Sequence, residues 1–130
     1  MNNPFAVVIE DDPDLGQLIG TVLETMGYTV HIATTGPAGV QAVTEHRPSM
    51  ITTDLGLPHL GGAAVTAAIR ETTDAPILVI SASNDPGQVE DALTAGASGY
   101  LLKPFNLCTL RTRIDALHHG AAPAPQQLRS

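Results

Sequence analysis

Tryptophan is absent from the 130 residues, and only two tyrosines and two phenylalanines occur. A site that must cover a flat aromatic cofactor has little to draw on. The single cysteine, Cys108, excludes an internal disulfide. Lysine and arginine together number 6 against 13 acids, for a formal net charge of −7. Holding DNA or RNA requires a basic stripe that displaces counterions, so no direct nucleic-acid binding is expected of this domain. No apolar run approaches the roughly 20 residues that cross a bilayer. The opening MNNPFAVVIEDD lacks the basic start of a signal peptide. The expectations are a cytoplasmic location and no membrane contact.

Lysine is the scarcest charge. Lys103, inside GYLLKPF, is the only one, and the other five basic residues are arginines. It closes an apolar run that reads as a buried strand, where an unpaired charge is costly. An anionic partner is therefore expected nearby.

A chain of this length holds one domain with its own core. Hydrophobic residues make up 43%, which places it among globular sequences. Five short apolar runs read as strands: Phe5 to Ile9, Tyr28 to Ala33, Met50 to Thr53, Ile77 to Ser81 and Gly99 to Lys103. Thr52 and Thr53 dilute the third. Several are apolar throughout, as in strands covered on both faces.

Helical periods fall between them. Leu15, Leu18, Ile19, Val22, Leu23 and Met26 recur at i, i+3, i+4, i+7, i+8 and i+11, and Gly27 supplies a stop. Val40 and Val43 mark a weaker helix. Ala64, Val65, Ala68 and Ile69 mark a third, Val89, Ala92 and Leu93 a fourth, and Leu107, Leu110, Ile114 and Leu117 a fifth. Cys108 is expected to pack in or beside that last helix. Five successive β-α units imply an α/β fold, a parallel sheet with helices on both faces. Residues 1–119 are assigned to this domain. Residues 120–130, rich in alanine and proline, read as a flexible linker or tail, an end to which a further segment would attach.

In such sheets ligands bind beyond the carboxyl ends of the strands. Glu10 and Asp11 follow the first strand, Asp54 the third, Ser81 ends the fourth and Lys103 the fifth. A parallel sheet gathers all of them at one edge. Two carboxylates about 5 Å apart repel by roughly 3 kcal/mol at an effective dielectric near 20. One lysine does not compensate three. A hard cation such as Mg2+ would, drawing on the strand-one acids, Asp54 and a backbone carbonyl such as that of Gly56. Mg2+ held in this way shares its shell with phosphate oxygens. Asp54 is then a candidate nucleophile for an acyl phosphate, with Lys103 and the Ser81 hydroxyl facing the phosphoryl oxygens.

The pieces VVIEDD, TTDLGLP, VISAS and GASGYLLKPF, in this order and spacing, resemble the response-regulator receiver domain of two-component signalling, the chemotaxis-regulator-like family. The resemblance runs from Phe5 to about His119. It implies a flavodoxin-like (βα)5 doubly wound sheet of strand order 2-1-3-4-5. It implies Asp54 as phosphoacceptor, Asp11 as direct Mg2+ ligand and Glu10 acting through water. Ser81 becomes the switch hydroxyl, Tyr100 the aromatic that swings inward, and Lys103 the phosphate-pairing lysine before a cis Pro104. The implied donor is a sensor histidine kinase or histidine phosphotransfer protein. The implied output is an altered face of the fourth helix, fifth strand and fifth helix, read by an output domain or partner, with a phosphorylation-dependent homodimer allowed. Such a domain catalyses only its own phosphorylation and dephosphorylation.

Some positions depart from the family pattern. Gly61-Gly62 stand where an Asp or Asn often caps the third helix. Gly56 and Ser83 occupy positions that tune dephosphorylation in relatives. Ser98 and Gly99 replace the acidic pair that winged-helix transcription regulators carry before the tyrosine, which leaves Arg113 without those partners. Two other classes compete. An aspartyl-phosphate phosphatase-like hydrolase wants an acid two residues after its nucleophile, where this chain has Gly56. A flavin-binding flavodoxin-like carrier wants aromatics that this chain lacks. His31, His46 and His59 read as structural or surface residues, and His118-His119 as a solvated helix end.

Overall fold

A computed structural model describes residues 4–57 and 62–118. Alternation of short strands and helices yields β1 (Phe5–Ile9), α1 (Pro13–Thr25), β2 (Thr29–Ala33), α2 (Gly36–His46), β3 (Met50–Thr53), α3 (Gly62–Arg70), β4 (Ile77–Ser81), α4 (Pro86–Ala95), β5 (Gly99–Leu102) and α5 (Leu107–His118). The five strands form one parallel sheet of order β2-β1-β3-β4-β5. This is the doubly wound arrangement expected.

The continuous apolar strands follow from double coverage. Alternate side chains of one strand enter different cores. Val8, Leu78, Ile80 and Leu101 meet α1 and α5 through Ile19, Leu23, Leu110 and Ile114. Val7, Ile9, Ile51 and Ile77 meet α2 and α3 through Val43, Val65 and Ile69. Contact with α2 is close enough that a Cβ on Gly39 would lie 2.4 Å from Ile9 Cδ1. Both threonines of β3 are buried, and their hydroxyls have no partner among the described residues.

Caps fix where the helices start. Asp12 Oδ1 accepts from the N–H groups of Asp14 (3.0 Å) and Leu15 (3.3 Å), with Pro13 opening α1. Asp85 and Pro86 repeat the device at α4. Proline at the first helical position loses no bond, since that N–H would be an orphan anyway.

Several expectations need correction. Tyr28 lies outside β2, because its N–H closes the end of α1 on the Leu23 carbonyl (3.1 Å). Lys103 lies one residue past β5, although its N–H still reaches the Ser81 carbonyl (2.8 Å). Leu18 and Leu107 belong to the apolar periods yet are 41% and 46% exposed. Cys108 lies within α5 and is exposed, because it sits off the face defined by Leu110, Ile114 and Leu117. Gly61, His59, His119 and the tail 120–130 fall outside the described residues. Among the described residues no helix is long and apolar enough to cross a membrane.

Candidate functional site

The carboxyl ends of β1, β3, β4 and β5 bring Glu10, Asp11, Asp54, Ser81 and Lys103 to one edge. Asp54 follows β3 directly, and its N–H donates to the Ile9 carbonyl (3.2 Å), which ties the first and third strand ends together. Its two carboxylate oxygens are held separately. Oδ1 accepts from the Gly56 N–H at 2.9 Å, and Oδ2 accepts from Lys103 Nζ at 2.9 Å. Lys103 Nζ also reaches Glu10 Oε1 at 3.4 Å. The anion expected for the sole lysine is therefore a pair of carboxylates on two strands.

Glu10 is buried, and its Oε2 accepts from the Asp12 N–H at 3.2 Å. Burial, with the charge of Asp54 behind it, pushes its pKa up to about 7, against the opposing pull of that N–H and of Lys103. For Lys103, burial alone would favour the neutral amine. The hydrogen bond and charge of Asp54, joined by Glu10, outweigh it and raise the pKa. Asp11 is exposed at the rim.

Carboxylate oxygens of Glu10, Asp11 and Asp54 lie within 4.8 Å of one another, so the three can share one cation. An all-oxygen donor set suits a hard divalent ion. A Cβ at Gly56 would stand 3.6 Å from Asp54 Oδ1, an ordinary contact distance, so the space beside the carboxylate does not itself demand glycine.

A second set of bonds leads away from the carboxylates. Ser81 Oγ accepts from the Ser83 N–H (3.1 Å), Ser83 Oγ from the Asp85 N–H (3.3 Å), and Asp85 Oδ1 from the Gly87 N–H (3.4 Å). The Tyr100 hydroxyl donates to the Ser83 carbonyl at 2.8 Å, and the ring is buried. Burial, with the charges of Asp54 and Asp85, raises the Tyr100 pKa. Arg113 donates through Nη1 to the Tyr100 carbonyl, so it is half-buried rather than a bare surface charge. The part played by Ser83 and Asp85 had a sequence signal, since serine and aspartate two residues apart favour such side-chain turns. The Lys103-Pro104 peptide is cis.

Arg70 gave no sequence signal. It bonds the carbonyls of Gly96, Thr73 and Ala75, and so staples the end of α3 to the approaches of β4 and β5.

The chain is thus a doubly wound parallel sheet with acids at two strand ends paired to one lysine from a third. The chain belongs to the response regulator receiver domain family, whose model matches residues 6–115. It is 36% identical over 112 residues to Transcriptional regulatory protein KdpE of Mycobacterium tuberculosis (strain ATCC 25618 / H37Rv), covering 86% of this chain and 50% of that protein. It is 33% identical over 110 residues to DNA-binding response regulator MtrA of Mycolicibacterium smegmatis, covering 85% of this chain and 48% of that protein. The chain spans about half the length of these curated relatives. Among solved structures, the receiver domain of Francisella response regulator 1452 superposes with a TM-score of 0.82 at 26% identity, covering 91% of this chain and 98% of that one. A CheY-like receiver domain protein from Methanospirillum hungatei JF-1 gives 0.85 at 22% identity, covering 92% and 96%, a likeness of fold alone. The protein is a receiver domain of two-component response regulators, and the hydrolase and flavin-carrier readings are left without support.

Proposed function

We propose that Asp54 accepts a phosphoryl group from a phosphohistidine on a sensor histidine kinase or phosphotransfer protein. A carboxylate oxygen of Asp54 attacks phosphorus, the phosphorus–nitrogen bond breaks, and the leaving imidazole takes up a proton. The product is an acyl phosphate. Lys103 neutralises the carboxylate beforehand and the phosphoryl oxygens afterwards, and Gly56 N–H keeps the other oxygen in place. Mg2+, held by Asp11, Asp54 and the Gly56 carbonyl with Glu10 acting through water, would supply charge neutralisation at the phosphoryl oxygens. Catalysis is alignment and electrostatics, and it serves only the domain's own phosphorylation and dephosphorylation.

The supporting observation is the single lysine at 2.9 Å from Asp54, at a strand-end cluster able to share a cation. On this reading the Ser81 hydroxyl turns toward the phosphoryl group and gives up the Ser83 N–H. That loosens the loop on which the Tyr100 hydroxyl rests. The α4–β5–α5 face changes with it, and an output domain, a partner or a second copy reads the change. That face carries a groove of about 690 Å3 bounded by Val89, Leu93, Tyr100, Phe105 and Arg113. A cytoplasmic setting suits such a kinase partner.

The test is intact mass after incubation with a small phosphodonor and Mg2+. One phosphoryl adduct is expected, absent without metal and absent in Asp54→Asn. An adduct that persists in Asp54→Asn would overturn the assignment.

A further inference from the structure

Two of the five histidines meet on the side of the sheet remote from the carboxylates' lysine. His31 lies on the edge strand β2, opposite Val7 of β1. His46 is the last residue of α2. Their ring centroids are 5.0 Å apart with the planes tilted by 36°. Phe5 stacks on His46, with centroids 4.6 Å apart and planes within 7°. His31 is exposed and His46 half-buried, so the pair opens to solvent.

No hydrogen bond or ion pair among the described residues engages a ring nitrogen of either histidine. His118 differs, since its Nδ1 lies 2.9 Å from the Tyr28 hydroxyl. We infer that His31 and His46 form a two-imidazole site for a transition-metal ion of the Zn2+ type.

Three physical points carry this. Neutral imidazole is the commonest metal ligand, and it suits zinc better than the hard cations that carboxylates select. Two rings ligating one tetrahedral ion at about 2.0–2.1 Å would have their centres about 5 Å apart, which is the spacing found. Stacking on Phe5 uses the face of His46, whereas ligation uses an in-plane lone pair, so one ring can do both. The stacked phenyl also fixes the ring plane in advance, which reduces the cost of ordering a ligand. The position is favourable to a cation as well, because the carbonyls at the end of α2 present partial negative charge. Water would complete the shell. The bound ion would tie the edge strand to the last turn of α2, away from the Asp54 cluster.

Calorimetric titration of the whole chain with Zn2+, in excess Mg2+, tests the site. One equivalent is expected to bind, equally in wild type, Asp54→Asn and His118→Ala. His31→Ala and His46→Ala should each weaken it by about tenfold or more, no less than the loss of an outer partner costs elsewhere. Should either alanine variant fail to fold, His31→Gln or His46→Gln keeps the side-chain bulk and takes its place. Binding that is absent in wild type, unchanged in both histidine variants, or lost with Asp54→Asn or His118→Ala overturns the inference.

Discussion

Lys103 Nζ lies 2.9 Å from Asp54 Oδ2 although 49 positions of chain separate them, and the same ammonium reaches Glu10 at 3.4 Å. The lysine side chain remains 23% exposed while its partners are nearly enclosed, so the cation is partly screened and the anions are not. Electrostatic balance at the sheet edge thus depends on one flexible arm.

Replacing that arm shows how much it carries. Lys103→Met leaves two buried carboxylates facing each other without a cation. Stability in the absence of divalent ions should fall by about 1–3 kcal/mol, toward the lower end because of the screening. Addition of Mg2+ should restore part of it. Urea unfolding of both proteins reads the difference, and coincident midpoints would show that the pairing carries nothing.

Divalent ions should stabilise the native protein through the same cluster. At about 100 times its dissociation constant, Mg2+ should add roughly 2.7 kcal/mol by mass action. Asp11→Asn should remove most of that gain while changing the metal-free protein little, since Asp11 is exposed. Thermal unfolding with and without Mg2+ checks it, and an undiminished gain in Asp11→Asn would exclude that residue as a ligand.

Both tyrosines should titrate late. Burial raises the pKa of Tyr28, helped by the charge of Asp115, and raises that of Tyr100. In the folded state the neutral phenol is favoured, so the unfolded chain releases these protons first, near pH 10. Stability should therefore be intact below that pH and decline as pH rises from the unfolded toward the folded pKa. With two tyrosines and no tryptophan, tyrosinate absorbance reports the two groups directly. Titration of both at the ordinary value while the fold persists would contradict the packing described.

Gly39→Ala should destabilise by about 1–3 kcal/mol through overpacking. The added methyl meets Ile9, which is 1% exposed and has no room to yield. Ile9→Val removes the nearest atom, so the double variant should lose less than the sum of the two singles. Additive losses in denaturant unfolding would count against a direct clash.

The fold was legible because every strand but one advertises itself. β1, β4 and β5 are apolar runs, β2 is interrupted by Thr29 and His31, and helical periods separate them all; that alternation leaves few arrangements other than a parallel sheet. β3 was faint for a physical reason: Thr52 and Thr53 are buried with unpartnered hydroxyls, which no hydropathy pattern anticipates. Leu18 and Leu107 misled because periodicity assigns a helix face without saying how far the neighbouring element reaches. The meeting of Lys103 with Asp54 and Glu10 followed from strand-end placement alone. The meeting of Phe5 and His31 with His46 did not, since it joins the edge strand to a helix end whose orientation only packing decides.

The ladder from Ser81 through Ser83 and Asp85 to Gly87 consists of rungs two residues apart, each linking a side-chain oxygen to a main-chain amide. Every rung is worth on the order of 1 kcal/mol, and none requires a core residue to leave its place. Such a segment can be rewoven stepwise, at small cost per stitch, while the hydrophobic layers beneath stay shut. On the switching proposed above, rearrangement at this edge would be decoupled from melting of the domain.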